Sequence, residues 1–212
     1  MYKRMVVALL ALTAGIVSGC GAARPSKYYQ LRAMPPTPPA STIEVYPVTL
    51  IVSPLAGSHL YRDDRLVYSS GEEELGTYQY QRWATPPIEM IQEMLLRDLR
   101  SCGRFREVHT LSSSASGDYV LRGHLYDFKE VSGHDVLARL TIEFELHNVK
   151  SGDTPWTFFY THDEPVTNKD VQHVVSALDQ NVQRCANELM AKLDEYFASH
   201  ASQSSVQGDR QH

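Results

Sequence analysis

The chain has 212 residues, 42% of them hydrophobic, with 20 Lys and Arg against 25 Asp and Glu and a net charge of −5. That length suits one domain with tails. An acidic balance gains nothing from polyanions, which excludes nucleic acid as a natural partner.

Lys3 and Arg4 precede an apolar run from Met5 to Val17, whose central part, Val6 to Leu12, is too short for a mature bilayer span. Residues 1–19 therefore read as a secretory signal peptide. Val17-Ser18-Gly19-Cys20 puts a cysteine directly after a small pair. This resembles the bacterial lipobox, in which the thiol receives a diacylglyceryl group before cleavage, and it makes Cys20 the expected lipidation site. Acyl chains contribute about 0.8 kcal/mol per buried methylene, so two or three of them hold durably. Gly21 stands where lipoproteins retained in the inner membrane carry Asp, so the resemblance favours the outer membrane, facing the periplasm. Loss of the leader shifts the charge to −7. No second apolar run reaches spanning length.

Residues 20–42 read as a tether, with Pro25, Pro35, Pro36, Pro38 and Pro39 among Ser, Thr and Ala. Twenty such residues would reach roughly 60 Å. Within them Tyr28-Tyr29-Gln30-Leu31 is either a chance aromatic pair or a segment that docks on the domain or on a partner. A domain is expected over 43–198. Ile43 to Ser53 alternates as a strand, with Pro47 marking a bulge or an edge. Leu60-Tyr61 and Leu66-Val67-Tyr68 flank Arg62-Asp63-Asp64-Arg65, which predicts a hairpin with a charged turn. An acidic loop through Glu72, Glu73 and Glu74 leads to a short strand, Thr77 to Trp83.

Thr85 is the expected N-cap of a first helix, with Pro86 at its first position. Ile88, Ile91, Leu95 and Leu99 form its apolar stripe, and Gly103 suits a left-handed stop. Phe105 to Thr110 predicts a strand, followed by a Ser-rich loop. Asp118 to Val131 and Val136 to Val149 predict a long antiparallel pair. In its second arm Val136, Ala138, Leu140, Ile142, Phe144 and Leu146 face one way, while Leu137, Arg139, Thr141, Glu143, Glu145 and His147 face the other. Trp156 to Thr161 adds an aromatic strand. Thr167 and Asp170 predict a capping box for a helix whose stripe runs from Val171 to Tyr196. Residues 199–212 read as a disordered tail. The fold class is α+β: a two-layer domain with two long amphipathic helices packed on one face of a largely antiparallel mixed sheet.

Chemistry is sparse. Nine histidines show no ligand spacing, no Gly-x-Ser-x-Gly or phosphate loop occurs, and the acidic runs resemble solvated turns, so neither metal, cofactor nor catalysis is expected. Cys102 and Cys185 lie on the stripes of the two helices in an oxidising compartment, which favours a disulfide; two buried free thiols are the alternative. Tyr61, Tyr68, Tyr78, Tyr80 and Trp83, with Arg62 and Arg65, crowd the predicted hairpin and the strand after it. They are either core packing or an aromatic partner-binding edge.

The lipobox, Tyr28-Tyr29-x-Leu31, the tyrosine-flanked charged segment and Trp83-Ala84-x-Pro86 before a helix, in this order, resemble the ABC-type transport auxiliary lipoproteins, the group that includes the paraquat-inducible lipoprotein C. Two positions depart from that pattern: Thr85 replaces an acidic residue, and Tyr61-Arg62-Asp63-Asp64 replaces Tyr-Leu-Asp-Arg. The resemblance implies a non-catalytic component of a lipid transport system, working with an MCE-domain protein and an ABC or other inner-membrane component, and a fold similar to the N-terminal domain of TolB. A homo-oligomer fits this reading too. A structural lipoprotein that activates a cell-envelope enzyme is the alternative.

Overall fold

The computed structural model describes residues 24–32, 46–71 and 73–208. Nine strands and two α-helices are present among them. In chain order these are β1 (Lys27–Tyr29), β2 (Tyr46–Val52), β3 (Ala56–Gly57), β4 (Arg65–Ser69), β5 (Leu75–Trp83), α1 (Pro87–Ser101), β6 (Phe105–Thr110), β7 (Tyr119–Val131), β8 (Leu137–Asn148), β9 (Trp156–Pro165) and α2 (Val171–Gly208). The fold is α+β with one mixed sheet. Cys20 and the leader lie outside the described residues, as do Ile43 and Val45.

β7 is the spine. Along one edge it pairs antiparallel with β8, and along the other it pairs parallel with β2, β3 and β4 in succession. Residues 46–69 are thus one strand path broken into three pieces. Pro54 has no N–H to give the ladder, and Ser58 caps a 3-10 turn at His59–Tyr61, its Oγ accepting from the Leu60 amide. Leu60-Tyr61 is therefore not the arm of a charged hairpin, as expected from sequence. The antiparallel partner of β4 is β5, reached through the acidic loop. The register slip between Tyr46 and Thr49 in β2 falls at Pro47.

Five strand pairings are parallel and three antiparallel. The sheet is therefore more parallel in topology than predicted, although the long ladders, β7–β8 and β8–β9, are antiparallel. The alternation read in β8 holds: Ala138, Leu140, Ile142, Phe144 and Leu146 are at most 1% exposed. Its other face is half-covered rather than wet, since Arg139 pairs with Asp163 and Thr141 with Thr161 on β9. Gly123 on β7 has no room for a side chain, because an added Cβ would fall 2.4 Å from Leu55 Cδ2.

α1 starts one residue later than predicted, with Pro86 as N-cap and no side-chain cap. Ile88, Ile91, Leu95 and Leu99 are buried, and Gly103 ends the helix at φ 65°. In α2 the cap is Asp170, which accepts from the His173 amide at 3.0 Å; Thr167 takes no part. The α2 stripe from Val174 through Leu178, Val182, Cys185 and Leu189 to Leu193 is buried. It lies against β8 and β9, and α1 lies against β6. Helix continues to Gly208, past the boundary at 198 where a disordered tail was expected; no proline or glycine interrupts residues 199–207. Rings of Tyr46, Phe105, Tyr119, Tyr196 and Phe197 interlock at the far end of α2.

Cys102 and Cys185 are free, which corrects the expected disulfide. Arg104, just beyond α1, pairs with Asp194 at 3.0 Å. Asp194 lies nine residues past Cys185, about 13 Å along the helix, and a disulfide needs Cα atoms within about 7 Å. Each thiol has its own environment instead. Cys102 donates to the Leu99 carbonyl at 3.1 Å, and burial pushes the Cys185 thiol well above its usual pKa.

Candidate functional site

The seven residues nominated around the hairpin separate into three groups. Tyr61 and Trp83 are 2% and 1% exposed, so they are core and not an interface. Trp83 packs on Phe128 with ring centroids 5.3 Å apart. Its amide donates to the Asp64 carbonyl at 2.5 Å, while Arg82 pairs with Asp64. Burial raises the Tyr61 hydroxyl to a pKa of about 12. These contacts explain the density of aromatics here: they seal the turn between β3 and β4 against β7.

Tyr68, Tyr78 and Tyr80 are half-buried. Tyr68 and Tyr78 meet edge to face at 5.1 Å. Tyr78 Oη donates to Glu130 Oε2 at 2.7 Å, and Ser132 Oγ donates to the other oxygen at 2.6 Å. Glu130 is 7% exposed, so this knot satisfies a buried carboxylate. Burial, followed by the carboxylate beside it, raises the Tyr78 pKa. Only Arg62 and Arg65 of the seven are exposed. Arg65 reaches Asp63 at 4.0 Å, and Asp63 is held below the ordinary carboxylate range, chiefly by the Arg65 amide.

Apart from Tyr28 on β1, the exposed rings Tyr126 and Phe159 lie on the face of β7, β8 and β9 opposite the buried one. Alternation along β9 turns Trp156, Phe158 and Tyr160 inward and leaves Phe159 57% exposed. Alternation along β7 turns Leu121 and Leu125 inward and Arg122, His124 and Tyr126 outward, Tyr126 46% exposed, just before a slip in the β7–β8 register between Leu125 and Asp127. Tyr126 lies 4.4 Å from the His124 ring and 6.2 Å from Phe159. Its hydroxyl donates to Glu143 Oε2 at 2.9 Å, an interaction that raises its pKa. Beside it, a shallow cavity of about 270 Å³ is lined by Ala56, Arg122, Gly123, His124, Tyr126, Glu143 and Glu145. Sequence reasoning missed Tyr126 and Phe159. The parity of each against its inward neighbours, Leu125 for Tyr126 and Phe158 for Phe159, was readable, but which sheet face stays uncovered was not. Mixed charge around two rings suits recognition. Among the described residues no three His, Cys, Asp or Glu side chains converge to hold a metal.

The profile of one family, the ABC-type transport auxiliary lipoprotein component, matches residues 29–190, from the end of β1 into α2. The chain belongs to this family. Its members are auxiliary lipoprotein components of ABC-type transport. Protein XCC0632 of Xanthomonas campestris has a similar fold, with a TM-score of 0.72 at 17% identity over 84% of this chain and 99% of that one. An uncharacterised protein gives 0.64 at 14% identity over 80% and 99%. A hypothetical protein of Chlamydia trachomatis gives 0.51 at 8% identity over 72% and 99%. At these identities the likeness is one of fold. No curated protein matches the chain in sequence.

Proposed function

We propose that this auxiliary lipoprotein is the outer-membrane, periplasm-facing end of an ABC or MCE-type lipid transport system, anchored through a lipidated Cys20. The observation that carries this reading is the family match, which runs through the folded body from β1 to α2. The partner is an MCE-domain protein or another inner-membrane component, and it meets the face bearing Tyr126 and Phe159. Exposed rings flanked by charge are the side chains that interfaces favour. Layering like that of the TolB N-terminal domain, with both helices on one sheet face, belongs to the same reading. It is supported by the contacts of α1 with β6, of α2 with β8 and β9, and of the helices with each other.

The test is co-purification of the lipidated chain with its partner from membranes. Truncating an interface hot spot costs at least about 2 kcal/mol, so Tyr126→Ala and Phe159→Ala should each weaken binding about 30-fold or more. Their melting temperatures should stay near wild type. Trp83→Ala is the control for core damage and should lose about 4 kcal/mol of stability. Normal binding by both surface variants would remove this face from the partner interface.

A further inference from the structure

The stretch after the lipobox divides into parts with different mechanical roles. Residues 27–32 are fastened to the body. β1 pairs parallel with β5, Lys27 opposite Gln81 and Tyr29 opposite Trp83. The Ala84 amide donates to the Tyr29 carbonyl at 2.6 Å, and Leu31 is only 8% exposed. Arg32 completes the fastening: its amide and its Nε donate to the two oxygens of Asp179 at 2.8 and 3.0 Å. The Asp179 side chain is 2% exposed, so freeing this strap would strip a buried carboxylate of two donors and leave it Gln183.

We propose that residues 21–26 are the whole leash, and that the body works in contact with the bilayer that carries its anchor, its β1 corner against the headgroups. This rests on lipidation at Cys20. From Cys20 to Lys27 is seven Cα steps, which span at most about 25 Å however the chain runs. A body of about 160 residues has a radius of gyration near 15 Å and is roughly 40 Å across. A leash shorter than the body cannot let it turn its attached corner away. Residues 33–45 add no reach, because Arg32 and Tyr46 both sit in the body.

The corner suits a phospholipid surface. Arg24 and Lys27 are exposed, and Tyr28 is 64% exposed. Tyrosine favours the headgroup level, and basic side chains favour anionic lipid.

The test uses the full lipidated chain in phosphatidylethanolamine–phosphatidylglycerol vesicles, with a photoreactive residue in place of Tyr28 or of Val149. Val149 is 52% exposed, and its amide donates to the Asp118 carbonyl at the opposite end of β7. The restricted reach should give about tenfold more phospholipid adduct at 28 than at 149. Twelve Gly-Ser residues inserted between Ala23 and Arg24, worth about 20 Å of added reach, should lower the yield at 28 several-fold. Equal yields at the two positions, or a yield at 28 unmoved by the insertion, would overturn the short leash. The mass of the N-terminal peptide from the same samples separates the two ideas. Absence of acyl mass overturns the anchor itself, whereas a lipidated chain with equal adducts overturns only the short leash.

Discussion

Asn181 is fully buried, yet its side chain is saturated. Nδ2 donates to the carbonyls of Ala138 and His162 at 2.9 and 2.8 Å, and Oδ1 accepts from Tyr160 Oη at 2.7 Å. It therefore fastens α2 to β8 and β9 at once. Asn181→Leu would remove three buried hydrogen bonds and leave the Tyr160 hydroxyl only the main-chain carbonyl of residue 181, at 3.4 Å. A loss of about 2–3 kcal/mol is expected, seen as a melting temperature roughly 5–10 °C lower. An unchanged melt would show that the three groups find other partners. For Tyr61 and Trp83 the residue type admits both core and interface, and only the packing on Phe128 and the turn before β4 decides.

Elements were legible where one periodicity ran without interruption. β8 and the α2 stripe fall where their alternation and 3.6-residue spacing place them, because each has a single buried face. Between β2 and β4 the pattern misled, since two apolar pairs around a charged turn describe a hairpin as well as a strand path broken by a capped 3-10 turn. The β8–β9 ladder carries a test of its own. Arg139 grips Asp163 with two hydrogen bonds of 2.7 Å and holds its carboxyl below the ordinary range. A depressed folded pKa contributes stability that is fully present above about pH 4, the unfolded value, and is lost as the pH falls through the folded one. Denaturant unfolding should thus show Asp163→Asn less stable than wild type near pH 7, with the gap closing below about pH 4. The side chain is a third exposed, so screening keeps the gap small. A pH-independent gap would mean that shape, not charge, matters at this pair.

At the scale of the whole molecule, the free thiols report how the helices sit. Alkylation of denatured, unreduced mature protein should label both Cys102 and Cys185; protection of the pair would mean that the ends of α1 and the middle of α2 come together after all. Sequence alone determined the family, the acidic balance, most strands and both helices. Each follows from local spacing or from side-chain chemistry within a few turns. The tertiary structure decided which surface is free. It placed Tyr126 and Phe159 outside and Trp83 inside, left Cys102 and Cys185 unbridged, and turned residues 27–32 from tether into strap. Those outcomes depend on strand order and on contacts such as Arg32 with Asp179, 147 residues apart, which no local pattern encodes.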